Sequence, residues 1–242
     1  MHNKAIRIAV GTQHLNGTVA APATGFPGIL FLHGWGGSQE RDLVRAQGLA
    51  ALGSICLTFD MRGHAETEGQ RDTVTREDNL QDVLAAYDSL ISHPQVDSSC
   101  IAVVGSSYGG YLAALLTTLR PVRWLALRVP ALYRDAQWLT PKQQLNRADL
   151  NEYRRTFVDP ETNRALSGCR KFSGDVLVVE SEHDDLVPHL AVASYTSAFI
   201  RARSMTFRVI EGADHALTEE RHRRAYDALL TRWVREMVLG AR

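Results

Sequence analysis

Gly105-Ser106-Ser107-Tyr108-Gly109 is the segment of the 242-residue chain richest in chemical promise. It follows the apolar run 101–104 directly and opens the small, apolar stretch 108–119. A serine on the sharp turn between a strand and a helix projects its hydroxyl above the sheet edge. Bulky side chains two positions before or after it would collide, and glycine avoids this. The amides that open the following helix favour negative charge developing at the same place. Ser107 is therefore the candidate nucleophile, and the amide of Tyr108 a candidate oxyanion donor.

A serine hydroxyl is a poor nucleophile at neutral pH, so a base must take its proton and a third group must orient that base. Nine histidines compete for the role. His215 ends Ile210-Glu211-Gly212-Ala213-Asp214-His215, just beyond the last strand-like run, where loops at the carboxyl ends of strands converge. His33 and His64 sit in glycine turns and read as structural. His2, His14, His93, His183, His189 and His222 read as solvated or loop residues. Carboxylates for the third role gather in Glu180-Ser181-Glu182-His183-Asp184-Asp185-Leu186-Val187-Pro188, again after a strand-like run. Asp214, beside His215, reads as a brace of its own loop.

Holding such groups together takes a strand-then-helix alternation, the pattern of a mostly parallel sheet covered on both faces. Runs 5–10 and 14–20 alternate in polarity as an antiparallel start, with Asn16-Gly17 interrupting the second. Strands are expected over 28–33, 55–59, 101–104, 122–129, 175–180 and 205–210. Helices are expected over 38–52, 108–119, 190–200 and 219–239, with another running from Thr75, where Asp78 completes a capping box. The stretch 130–173 fits no such unit. Its length favours a cap with its own helices, over 150–157 and 161–166, inside a single domain spanning 1–242.

With these landmarks in chain order, the sequence resembles the α/β-hydrolase family over nearly its whole length. Phe31-Leu32-His33-Gly34-Trp35-Gly36-Gly37 looks like the family's His-Gly oxyanion motif, and Asp60-Met61-Arg62-Gly63-His64 like its Asp-x-Arg-Gly turn. The resemblance implies an eight-stranded, mostly parallel sheet with helices on both faces, and a second oxyanion donor at the amide of Trp35. It matches His215 to the family's Gly-x-x-His loop. The family's Gly-x-x-Asp-x-x-Val-Pro pattern, with Ser181 in place of glycine, puts the acid at Asp184, with Asp185 as the alternative. Asp60 and Arg62 read as an internal brace of their turn. Members of this general appearance include feruloyl or cinnamoyl esterases and dienelactone-hydrolase-like enzymes. The latter usually carry cysteine at the nucleophile, where this chain has Ser107.

Composition narrows the remaining classes. The basic and acidic residues number 27 each, so the formal net charge is zero. That speaks against nucleic-acid binding or a basic membrane-surface face. The lysines are Lys4, Lys142 and Lys171; every other basic residue is arginine. Cys56, Cys100 and Cys169 lie far apart and read as free thiols in a reducing compartment, hence a cytoplasmic location. No HExxH and no GxxxxGK[ST] occurs, so no metal or cofactor is expected. The expectation is a serine esterase acting on small or aromatic acyl esters, with Tyr133, Trp138, Tyr153 and Phe157 of the insertion as candidate substrate contacts. Amide or thioester hydrolysis with the same residues is the alternative, and a non-catalytic ligand binder a remoter one. A monomer is expected, or a dimer through Trp233, Met237, Val238 and Leu239 of the last helix.

Overall fold

The structure is a computed structural model that describes residues 2–21 and 27–239. Among them, eight strands make one sheet in the order β1-β2-β4-β3-β5-β6-β7-β8. The antiparallel start is β1 (His2–Val10) with β2 (Gln13–Ala21), and β2 also runs antiparallel to β4 (Ile55–Phe59). The rest is parallel: β4, β3 (Pro27–Leu32), β5 (Asp97–Ser106), β6 (Trp124–Arg128), β7 (Asp175–His183) and β8 (Ser204–Asp214). This is the α/β-hydrolase sheet that the sequence leads one to expect.

Period-two side-chain alternation explains why the central strands read as unbroken apolar runs. In β3, Leu30 and Leu32 enter one apolar layer while Ile29 and Phe31 enter the other. The first layer is completed by α2 (Arg76–Ile91), α3 (Tyr108–Leu116), α5 (Arg164–Lys171) and α6 (His189–Ala198). The second is completed by α1 (Glu40–Ala50) and α7 (Glu220–Val234). Every residue of α3 is buried, which its apolar composition requires. At the start of α2 the expected capping box is present, Thr75 and Asp78 each accepting from the other's backbone amide.

Several local expectations need correction. Asn16-Gly17 does not interrupt β2. A Cβ at Gly17 would come 3.1 Å from the Thr58 carbonyl, so glycine there permits close pairing with β4. Within the insertion, α4 spans Arg147–Arg154: Asn146 starts it early by accepting from the amides of Ala148 and Asp149, and it ends at the C-cap Arg155, short of Phe157. The second helix begins only after Asn163, which accepts from Ala165 and Leu166, while Pro160–Thr162 forms a single 3-10 turn. His222 is buried in α7, not solvated. Cys56 and Cys169 are buried and Cys100 half-buried, all as free thiols. Trp233 packs into the second layer with Met237 partly buried beside it; the side chains of Val238 and Leu239 lie outside the described residues.

The chain leaves β3 toward β4 on one side, while β5 lies on the other. The carboxyl ends of β3 and β5 therefore flank the switch point where open α/β sheets form their crevice. No helix among the described residues is long and apolar enough to cross a membrane.

Candidate active site

Ser107 sits on that crevice with φ +52° and ψ −113°, a left-handed conformation that costs a non-glycine residue roughly 1–3 kcal/mol. Its surroundings enforce the strain. The Ser107 amide donates to the Arg128 carbonyl of β6, and its own carbonyl accepts from Tyr111 and Ala131. A Cβ on Gly105 would lie 2.5 Å from the Gly109 carbonyl oxygen, and one on Gly109 only 2.1 Å from that of Leu32. These contacts are backbone, so neither glycine could be enlarged without moving the turn. The strand, turn and helix thus fix the hydroxyl in space before any substrate arrives.

Loops after β7 and β8 bring two further residues to the hydroxyl. Ser107 Oγ donates to His215 Nε2 across 3.0 Å, and His215 Nδ1 donates to Asp184 Oδ2 across 2.6 Å. The other oxygen of Asp184 accepts from the amides of Leu186 and Val187 at 2.9 and 2.8 Å. Those bonds hold the carboxylate as an acceptor aimed at the imidazole and so select the tautomer whose Nε2 is free to take a proton. Asp185 is exposed and makes no such contact, so of the two neighbouring carboxylates it is Asp184 that the fold brings to His215. Asp214 turns to the amide and hydroxyl of Thr218, bracing its own loop.

On the opposite side of Ser107, the loop after β3 carries Gly34-Trp35-Gly36-Gly37, and two buried histidines hold it. His33 Nδ1 donates to the Gly34 carbonyl while its Nε2 accepts from the Met61 amide. His64 Nδ1 donates to the Arg62 carbonyl while its Nε2 accepts from the Gly36 amide. Burial, reinforced by neighbouring His33, pushes His64 down to about 4, so it serves as a neutral spacer. The Gly36, Gly37 and Ser107 amides are engaged, to His64, Gly34 and Arg128 respectively. Among the described residues, the Trp35 and Tyr108 amides have no acceptor. Asp60 and Arg62 do brace the turn, though through separate partners. Asp60 accepts from the amide and side chain of Gln39, whereas Arg62 pairs with Asp82 and Asp78. Asp82 also accepts from Asn79, which accepts in turn from the Tyr108 hydroxyl, so one polar chain runs from the turn to α3.

A cleft of about 560 Å³ opens beside Ser107, and Trp35, Ser107, Arg128 and His215 are among the residues that line it. Among the described residues, none of Tyr133, Trp138, Tyr153 and Phe157 lines this cleft. Tyr133 is buried edge-on against Tyr108 and Tyr111. Trp138 donates to Glu77 and Tyr153 accepts from Asn163, while Phe157 is exposed. On that side of Trp35 the insertion closes the space. Lys142 Nζ lies 4.6 Å from the Trp35 ring centroid, 5.2 Å from Tyr133 and 5.6 Å from Tyr108. Burial pushes the Lys142 amine down from its ordinary range. Its backbone amide donates to Val74, and Gln143 accepts from the Trp35 indole.

Residue type and spacing do not single out Arg128 or Lys142. An arginine ending the apolar strand Trp124–Arg128 is the signal that could have drawn attention to the first; nothing local marks the second. Among the described residues, no three His, Cys, Asp or Glu side chains gather as a metal site would require.

The profile of the Prolyl oligopeptidase family matches residues 41–240, a stretch holding Ser107, Asp184 and His215. Human palmitoyl-protein thioesterase ABHD10, mitochondrial, is 31% identical over 103 residues, which is 42% of this chain but 32% of that relative. The chain therefore spans only about a third of the curated relative's length in the matched stretch. The ferulic-acid-bound structure of Est1E from Butyrivibrio proteoclasticus superposes with a TM-score of 0.77 at 19% identity, covering 97% of this chain and 100% of that one. Dienelactone hydrolase from Anabaena variabilis superposes at 0.71 and 19% identity, covering 98% of each chain. At such identities these two structures speak to the fold alone.

Proposed function

The chain belongs to the prolyl oligopeptidase family of hydrolases, and from that premise we propose that it is a serine hydrolase cleaving carboxylic esters. The carrying observation is the hydrogen-bonded series Ser107, His215, Asp184, together with the Trp35 and Tyr108 amides, which have no acceptor among the described residues. Ser107 Oγ attacks the acyl carbon while His215 Nε2 accepts the hydroxyl proton. The carbonyl oxygen, now negative, is received by the amides of Trp35 and Tyr108. As the tetrahedral intermediate collapses, the C–O bond to the alcohol breaks and His215 returns the proton to the leaving oxygen. Water then attacks the acyl-serine, gives its proton to His215, and the carboxylic acid departs as Ser107 regains its hydrogen. Asp184 favours the charged imidazole in both halves and holds its orientation. In this reading, 130–173 is a cap inside one catalytic domain.

Hydrolysis of p-nitrophenyl butyrate by the wild-type chain beside Ser107→Ala tests this. Turnover that disappears in the variant supports the reading; equal turnover in both, or none in the wild type, sinks it. Similarity to a palmitoyl-protein thioesterase favours thioesters as a second reading. A matched pair of oxygen and sulfur esters of the same acid separates the two, and the corresponding 4-nitroanilide probes peptide-like bonds.

A further inference from the structure

We infer that the cleft beside Ser107 accepts a leaving alcohol bearing a carboxylate, read by Arg41 and Arg128. This deepens the ester-hydrolase reading and rests on it. The cleft is bounded on one side by His215, Ala216 and Leu217. His215 hands its proton to the leaving oxygen, so the alcohol departs along the wall that His215 itself forms.

That wall is cationic. Among the described residues four arginines line the cleft, but two are already neutralised. Arg45 lies between Asp42 at 2.9 Å and Asp227 at 2.7 Å, and Arg71 pairs with Glu68 at 3.0 Å. Arg41 and Arg128 make no ion pair among the described residues. Each donates one Nη1 hydrogen across 3.0 Å to a backbone carbonyl, Arg41 to Ala216 and Arg128 to His215. Two guanidiniums thus flank the loop of the candidate base, opposed within the cleft by Glu40, whose carboxylate makes no ion pair among the described residues. Arg128 is the telling one, being only 8% exposed. Burial works against its charge, and so does neighbouring Arg45, while Tyr226, whose ring lies 5.7 Å from the guanidinium, and then Asp184 and Asp42 act in its favour without forming an ion pair. A cation this deep without a counter-ion is costly, and a ligand carboxylate entering the cleft would offset that cost. The planar fork of a guanidinium also matches a carboxylate edge.

The test compares 4-butyryloxybenzoate with its neutral methyl ester, each rate normalised to that ester's alkaline hydrolysis. Wild type should favour the charged ester by about tenfold or more in kcat/KM. Arg41→Met, at an exposed position that should leave folding intact, should cut that preference several-fold, and Arg41→Lys should restore part of it. The preference should also shrink on raising salt to about 0.5 M, because the cleft is open to screening ions. Arg120→Met, whose arginine pairs with Asp88 away from the cleft, should leave the ratio unchanged. A wild-type preference for the neutral ester, or an unchanged ratio in Arg41→Met, overturns the inference. If the neutral ester is turned over and Ser107→Ala abolishes this, the ester-hydrolase reading survives that failure. If neither ester is hydrolysed, both fall together.

Discussion

The two sides of Ser107 carry similar cations in opposite settings. On the insertion side, Lys142, Arg76 and Arg154 surround the Tyr133 ring at 5.2, 5.4 and 4.9 Å, and aromatic faces take the place of counter-ions. Arg154 is tied to the Leu132 and Leu186 carbonyls, and Lys142 is covered by Trp35. On the cleft side, exposed Arg41 lines open space beside His215, while Arg128 reaches the cleft wall from a buried position with the Tyr226 ring 5.7 Å from its guanidinium. A cation stacked on rings cements two parts of one chain, whereas one facing a solvent-filled cleft retains an unspent field. The difference teaches that an arginine's role follows from what covers it, which composition does not reveal.

Substitutions can break or sharpen this contrast, and the largest effect belongs to the centre that both sides share. Asp184→Asn would present an amide hydrogen to His215 and favour the wrong tautomer, lowering kcat by about 10⁴ with the fold intact. Steady-state kinetics beside a circular dichroism spectrum would check this. Next comes Gly109→Ala, whose added methyl would meet the Leu32 carbonyl at 2.1 Å. It should lose more than about 3 kcal/mol in urea unfolding, because backbone cannot yield as a side chain can.

A pH effect of similar size is expected at His64, which holds the loop between the two sides. Its folded value of about 4 lies below the ordinary 6.5. Between those values the unfolded chain takes up a proton that the native one refuses, so stability falls as pH drops from above 6.5 toward 4. The loss is at most about 3 kcal/mol, and His64→Gln should remove it from unfolding curves recorded at pH 7, 5.5 and 4.5. Smallest is Lys142→Met, expected to cost about 1–2 kcal/mol by releasing the insertion from Trp35. It should slow charged and neutral esters alike. A change in their ratio would mean that the insertion side also reads substrate charge, and the contrast would collapse.

Part of the centre was legible because its chemistry is local. Glycines at 105 and 109 announce a turn that only small residues permit, and His215 follows a strand-like run; the run before 180–188 offers four carboxylates, and only the family resemblance picks Asp184 among them. The capping box at Thr75 was legible for the same reason. What escaped depends on distant partners. Tyr133 and Trp138 are aromatic residues in an insertion, and only the fold reveals that Arg76 and Lys142 lie over the first ring and Arg76 and Arg164 over the second, away from the cleft. His222 reads as polar until α7 turns it inward, and Phe157 reads as a contact until α4 ends at Arg154 and leaves it exposed. The cleft itself joins Arg41 of α1 to the loop after β8, a pairing 175 residues apart that no window of sequence contains.

The most direct test of the central claim is intact-mass analysis after treatment with a fluorophosphonate, which reports the activated serine without assuming a substrate. One adduct per chain is expected, mapped by peptide digestion to Ser107, absent from Ser107→Ala and slow to form in Asp184→Asn. A folded wild-type chain that takes no adduct, or a Ser107→Ala chain that still takes one, would contradict it.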